Sequence, residues 1–325
     1  MEHLNILYKP GQKKYWVGRS SNIASEPQYW HEIIEPIALA DLKAAPKIAL
    51  LGYACHEGVK RNFGRVGAQE GPKHIREKLA KLPLHLDKKA VVDLGDIVCI
   101  ENDMEACQAG LTTIIAKLLD NKTFPVVIGG GHDIAYGHYT GIKNAKNNTE
   151  KKIGIINFDA HFDLRPFKGQ GNSGTPFSQI YANLKEKEQP FNYFVLGIQE
   201  QSNTKELFEI ATKLGVQYIL SNDCHLSKIA EVKKQVKTFI EANDAIYLTI
   251  DIDSFSSAYA PGVSAPSSLG FSPHFAYEVL RFLFDSSKVI SCDIAELNPR
   301  YDIDGTTARL AAKLVDQIVR LQCYE

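Results

Sequence analysis

Five side chains of metal-ligand type stand in two short stretches, Asp159-Ala160-His161-Phe162-Asp163 and Asp251-Ile252-Asp253. His132, in a Gly-Gly-Gly-His-Asp turn, is a sixth. Carboxylate oxygens and imidazole nitrogens in this mixture suit Mn²⁺, with Fe, Co or Zn as competitors. Alternate residues of an extended segment share a face, so Asp159, His161 and Asp163 project together, and Asp251 and Asp253 repeat the arrangement. Two cations about 3.5–4 Å apart, bridged by carboxylates, would hold a hydroxide between them and lower its pKa, which is hydrolytic chemistry. A lone Asp at a strand end is more simply a turn or helix cap. Six ligand-type residues gathered at three strand ends make capping a poor account of the set.

The elements that must carry these residues are legible from apolar patterning. Short β-rich runs near 47–54, 90–97, 124–129, 153–159, 193–198, 217–221, 245–251 and 288–294 read as strands. Helical spacing fills the intervals near 72–82, 103–120, 134–145, 176–186, 203–214, 228–242 and 273–285, with a last helix at 306–322. Ile153-Gly-Ile-Ile-Asn-Phe and Ala245-Ile-Tyr-Leu-Thr-Ile are nearly continuous apolar runs, as strands covered on both faces require. The alternation predicts an α/β fold, a parallel sheet sandwiched by helices. In such sheets the working groups collect beyond the carboxyl ends of strands. His132, the 159–163 motif, the 251–253 motif and Glu296 each follow a different predicted strand, so four strand ends would present polar residues to one rim.

The chain's 325 residues, 44% hydrophobic and 23% charged, can bury a full core. No composition break or Pro/Ser linker divides them, so residues 1–325 read as one domain, with 1–45 an irregular segment packed at the sheet edge. A formal net charge of −1 gives no bulk electrostatic reason to expect nucleic acid or an anionic membrane as partner. No apolar run approaches the roughly 20 residues that span a bilayer. Met1 to Lys14 lacks the apolar stretch of a secretory signal, which leaves the cytoplasm as the expected location. The six cysteines form no C-x-x-C pair and read as reduced thiols rather than a disulfide frame.

Taken together, G-G-x-H-D at 129–133, D-A-H-x-D at 159–163, D-x-D at 251–253 and Glu296-Leu-Asn-Pro299 resemble the signature of the ureohydrolase, or arginase, superfamily. The resemblance implies a three-layer sandwich around an eight-stranded parallel sheet. It implies two Mn²⁺ ions, with His132 and Asp163 on one, His161 and Asp253 on the other, and Asp159 and Asp251 bridging. Asp163 would pass a proton to the leaving amine, and Glu296 would hold a cationic amidine or guanidine. Trimers and hexamers are the assemblies it suggests. Arginases and agmatinases carry a histidine where this chain reads Asn172-Ser173-Gly174-Thr175-Pro176-Phe177. The Ser-Gly-Thr-Pro-Phe form looks like the formimidoylglutamase subgroup, as do Glu57–Ala68, Trp16-Val-Gly-Arg19 with Trp30-His31, and Asp163-Leu-Arg-Pro166. That subgroup implies a small amidine substrate bearing two carboxylates. Arg165, Asn172, Ser173, Asn62 and Arg65, with Arg61 beside them, are the candidate donors. An arginase, an agmatinase or another guanidine hydrolase is the alternative.

Other features carry less. Asp93-Leu-Gly-Asp96, Gly131-His132-Asp133 and Gly137-His138 resemble pieces of two-metal phosphoesterases, but there the D-x-H element precedes the G-x-H-D element, and here it follows. Cys55-His56 are adjacent in sequence, which does not aim a base at a thiol. His56, His74, His85, His138, His225 and His274 lack ligand spacing and read as surface or capping residues.

Overall fold

The computed structural model describes residues 7–19, 26–42, 45–86 and 91–324. Eight strands form at the predicted places: β3 (Ile48–Ala54), β4 (Val91–Val98), β5 (Phe124–Ile128), β6 (Ile153–Phe158), β7 (Asn192–Ile198), β8 (Gln217–Leu220), β9 (Ala245–Asp251) and β10 (Val289–Ala295). All eight pair in parallel. Two further strands, β1 (Tyr8–Lys9) and β2 (Glu35–Pro36), lie on the outer edge of β4, β1 antiparallel and β2 parallel. The sheet is therefore ten-stranded rather than eight-stranded. The two additions are two-residue pieces that satisfy backbone groups on β4 that would otherwise face outward as an unpaired edge. Residues 1–6, 20–25 and 43–44 of the irregular 1–45 segment lie outside the described residues.

The strand order is β1-β4-β3-β5-β10-β9-β6-β7-β8. The chain builds outward from β3 in both directions, leaves a gap between β5 and β6, and returns to fill it last with β9 and β10. That return makes β5, β10, β9 and β6 consecutive neighbours. They are the four strands whose carboxyl ends lead to His132, Glu296, Asp251 and Asp159.

Alternate residues of these strands feed two separate cores. Ile48 and Leu50 of β3, Ile246, Leu248 and Ile250 of β9 pack on one face, beneath the helices Gly71–Leu79, Ile229–Glu241, Pro273–Phe284 and Thr306–Tyr324. Ala49, Leu51 and Tyr53 of β3, Ala245 and Tyr247 of β9 pack on the other, beneath Met104–Asp120, Ile134–Asn144, Pro176–Glu186 and Lys205–Lys213. The period of two with both phases apolar explains why these runs are continuous in sequence. Helix starts are marked locally. Asp103 accepts from the backbone N–H of Ala106 at 2.8 Å, Ser272 accepts from Phe275 at 3.3 Å, and proline opens the helices at 176 and 273.

Asp93 and Asp96, part of the phosphoesterase-like motif, do not reach the rim where the ligand-type residues meet. Arg76, fully buried, donates to Asp93 Oδ1 at 2.8 Å, Asp96 Oδ1 at 2.6 Å and the Gly95 carbonyl at 2.8 Å. Trp16 Nε1 completes the set by donating to Asp93 Oδ2 at 2.8 Å. This knot ties the helix Gly71–Leu79, β4 and the N-terminal segment together. Removing the cation leaves a buried, unpaired carboxylate. Arg76→Met should therefore lower unfolding stability by about 3–5 kcal/mol, read as a lower urea midpoint.

Candidate metal centre

The turn after β5 gives His132 its direction. Gly129 and Gly130 sit at φ +86° and +75°, and a side chain on Gly130 would strike Tyr53. Gly131 N–H donates to the Cys55 carbonyl at 3.0 Å. The turn lowers His132 onto the ends of β6 and β9, where its Nδ1 lies 2.9 Å from Asp163 Oδ2, 3.2 Å from Asp159 Oδ2 and 3.3 Å from Asp251 Oδ2. His161 Nδ1 lies 3.2 Å from Asp253 Oδ2 and 3.4 Å from Asp159 Oδ1. Asp159 thus stands between the histidines with one oxygen toward each.

Two groups of ligand atoms result, each within 4.8 Å throughout: His132, Asp159, Asp163 and Asp251 in one, Asp159, His161 and Asp253 in the other. All six sequence-predicted residues come together. Asp159 is common to both groups, whereas Asp251 belongs only to the first. Its Oδ1 accepts the Asp253 N–H at 2.9 Å, and Asp159 Oδ1 accepts that of His161 at 2.7 Å, so each D-x-[DH] pair fixes its own second member through the backbone.

Burial sets the electrostatics. It pushes the Asp251 carboxyl well above the usual range and, reinforced by the charge of Asp159, lifts Asp163 to about 6. Burial raises Glu296 to about 8. It would raise Asp159 as well, but hydrogen bonds from His132 and His161 hold that carboxyl below its ordinary value. Both imidazoles are held well above theirs by the surrounding carboxylates, against the opposing effect of burial. So many buried anions require positive charge, and cations placed among them would take over the role of those protons. Asp253 Oδ1 and Glu296 Oε2 are buried with no hydrogen-bond partner among the described residues, acceptors waiting for a donor or a cation. The donor set and these orphaned oxygens fit a pair of hard divalent ions.

Glu296 and Asp163 both hold left-handed backbone, at φ +68° and +47°. For non-glycine residues this conformation is uncommon and persists only where its surroundings impose it. Around Glu296 the imposing contacts are its N–H donating to the Gly130 carbonyl at 2.8 Å and its Oε1 accepting the His132 N–H at 2.8 Å. Oε2 is left unpaired.

Above the cluster opens a cleft of about 300 Å³. Two larger hollows, about 650 and 400 Å³, lie elsewhere and contain none of the ligand-type residues. Arg165, Ser173, Asn62 and Arg65 line the cleft, with His161, Asp163 and Glu296. Asn62 Nδ2 donates to Ser173 Oγ at 3.2 Å. Arg165 is exposed, and its guanidinium has no hydrogen bond or ion pair among the described residues. Arg65 is different: it donates to the carbonyls of Ser264, at 3.0 Å, and Val263, and stacks 4.0 Å above the Tyr301 ring. That geometry makes it chiefly a brace for the 263–265 wall.

Two expected donors are not offered to the cleft. Asn172 is not among its lining residues; its Oδ1 accepts the Gly174 N–H at 2.9 Å, closing the turn that presents Ser173. Arg61 is bound to Glu105 at 2.6 Å, Glu57 at 3.2 Å and the Gly171 carbonyl at 3.2 Å. Asn172 serves its own turn, and Arg61, the last residue of the helix Glu57–Arg61, ties that helix to Glu105 and the 171 loop. Phe63, 98% exposed at φ +60° on the lip of the cleft, escaped the sequence reading because an isolated Phe in a glycine-rich loop carries no periodic signal. Asn203 escaped it too. It donates to the carbonyls of Ala160 and Gln199 and accepts from Phe162 N–H at 3.0 Å, clamping the ligand loop from a polar stretch with no motif. His138, read as a surface or capping residue, is fully buried and paired to Asp293.

A parallel sheet carrying a two-group His/Asp cluster at the ends of its central strands is the architecture of a metallohydrolase. The arginase family model matches residues 46–320, and the chain belongs to that family. It is 40% identical to the formimidoylglutamase of Clostridium tetani over 97% of this chain and 96% of that one. It is 42% identical to the formimidoylglutamase of Legionella pneumophila (strain Philadelphia 1) over 96% and 97%. Among solved structures, formiminoglutamase of Trypanosoma cruzi, determined with Mn²⁺, superposes with a TM-score of 0.73 at 25% identity, covering 84% of this chain and 92% of that one.

Ions held only by the folded cluster stabilise it by mass action, about 2.7 kcal/mol at one hundred times the dissociation constant. Exhaustive chelation should therefore lower Tm by roughly 4 °C for each ion removed, with recovery on adding Mn²⁺, both read by calorimetry.

Proposed function

We propose that this chain is a dimanganese formimidoylglutamase, hydrolysing N-formimidoyl-L-glutamate to L-glutamate and formamide. One observation carries the reading: the cleft offers an unpaired carboxylate oxygen, Glu296 Oε2, beside the His/Asp cluster and an uncommitted guanidinium, Arg165, on its wall. An amidinium bearing carboxylates matches both ends. The two formimidoylglutamase relatives at 40% and 42% identity support it.

In this reading His132, Asp163 and Asp251 would hold one Mn²⁺ and His161 and Asp253 the other, with Asp159, common to both groups, available to each; Asp251, expected as a further shared ligand, stands with the first group only. Bound there, the ions supply Lewis acidity and lower the pKa of water at the site. Glu296 accepts the amidinium N–H groups, and its fixed backbone aims the formimidoyl carbon at the cluster floor. Water adds to that carbon, the bond from carbon to the glutamate nitrogen breaks, and the nitrogen leaves with an added proton. Asp163 is placed to carry that proton: it sits at the cluster and lines the cleft. Arg165 binds a substrate carboxylate as a planar pair of N–H donors. Asn62 and Ser173, already bonded to each other, supply shorter polar contacts on the adjoining wall.

With Mn²⁺ present, formamide release from N-formimidoyl-L-glutamate should exceed urea release from arginine or agmatine in a parallel substrate panel. The reverse ranking would replace this reading with a guanidine hydrolase. Arg165→Ala should raise KM at least tenfold, the effect of losing about 1.4 kcal/mol of binding, with a smaller change in kcat. An unchanged KM removes Arg165 from the carboxylate contact. Glu296→Gln should instead depress kcat by about 10²–10³-fold, measured at saturating substrate.

A further inference from the structure

Behind His132 a line of buried polar side chains crosses the sheet face, and none of it touches the cleft. His132 Nε2 lies 2.9 Å from Thr249 Oγ1. The Thr249 hydroxyl donates to Asp293 Oδ1 at 2.6 Å. Asp293 Oδ2 receives the Tyr247 hydroxyl at 2.5 Å and faces His138 Nδ1 at 2.6 Å. His138 Nε2 in turn meets Ser291 Oγ at 2.5 Å. Thr249, Asp293, His138 and Ser291 are all 0% exposed.

The hydrogen positions follow from the two ends. His132 Nδ1 faces three carboxylates, so in a metal-holding cluster its lone pair must point there and the ring hydrogen must reside on Nε2. Nε2–H then donates to Thr249, whose own hydrogen is committed to Asp293. Asp293 keeps its acceptor role because Tyr247 and His138 donate to its other oxygen. Thr249 and Asp293 are register partners on adjacent strands β9 and β10, so the sheet ladder sets their spacing. His138 comes from the helix Ile134–Asn144, which starts two residues after His132 itself. One helix and two strands therefore converge to hold a single imidazole.

A carboxylate buried on an apolar sheet face is costly unless every oxygen is satisfied, and an apolar residue would serve packing alone equally well. We infer that Thr249, Asp293 and His138 form a positioning relay that locks His132 in its Nε2–H tautomer and ring plane, strengthening Nδ1 as a metal donor. The inference rests on His132 being a ligand, as in the proposed function.

Equilibrium dialysis with elemental analysis, together with electron paramagnetic resonance of bound Mn²⁺, tests it on the full chain. Thr249→Val, which keeps the shape and removes the hydroxyl, should weaken one Mn²⁺ by about 10–100-fold while the other is held as before. Thr249→Ser should bind both ions as the parent does, and His138→Gln should fall between the two. Thr249→Ala is read the same way if Thr249→Val does not fold, with circular dichroism reporting the fold of each variant. Parental affinity in folded Thr249→Val, or equal losses in the Val and Ser variants, overturns the relay. A parent chain that binds no Mn²⁺ overturns the relay and the metal reading together. A parent that binds two ions but hydrolyses no amidine overturns only the proposed function, and the affinities still decide the relay.

Discussion

Five acidic side chains, Asp159, Asp163, Asp251, Asp253 and Glu296, are brought within reach of one another at the carboxyl ends of buried strands. Desolvation and mutual repulsion oppose that gathering, and two imidazoles offset only part of it. The surrounding structure is organised to hold the cluster despite this cost. Rigid parallel strands fix the Cα positions, and backbone N–H groups of His161 and Asp253 satisfy one oxygen of Asp159 and of Asp251. The left-handed turns at Asp163 and Glu296 aim two more carboxylates that an extended chain would direct elsewhere. A site so charged has little use for its own protons, and divalent cations are the natural counter-ions.

The same economy separates residues that act from residues that brace. Arg61 is a candidate anion binder in sequence, yet its guanidinium, like that of Arg76, is saturated by carboxylates and carbonyls of the fold. Arg65 is largely committed to the wall around Ser264. Arg165 alone among these arginines reaches the cleft without a fixed partner among the described residues. An uncommitted guanidinium facing a cluster of negative charge would be a poor structural element, since it satisfies nothing in the fold. It makes sense as a contact for an incoming anion, whose carboxylate it would also draw away from the acidic floor.

How much of this was legible beforehand depended on range. Strand positions such as 153–158 and 245–251 could be read because a strand buried on both faces must be apolar at every residue. Five of the six ligand-type residues were legible because D-x-H-x-D and D-x-D are local patterns of ligand-type side chains, and His132 because of its glycine-rich turn. The extended geometry expected of them is not what aligns them, since 159–163 lies beyond β6 with Asp163 at φ +47°, and Asp253 stands in the helical turn Ile252–Ser254. His138 was not legible: nothing adjacent to it in sequence indicates that Asp293, 155 positions away, will lie 2.6 Å from its ring. The misplacement of Asn172 had the opposite origin. Its neighbour Ser173 does line the cleft, and only the hydrogen bond to Gly174 shows that the asparagine closes the turn instead.

The sequence by itself determined which chemistry was available, because residue type and short spacing decide what a strand end can ligate. Tertiary structure decided which of those groups stand together, since that depends on strand order. β9 and β10 enter last and settle between β5 and β6, a placement set by long-range pairing that no local pattern encodes. It also decided which arginine remains free, because a guanidinium is available only when the folded chain has offered it no acceptor of its own.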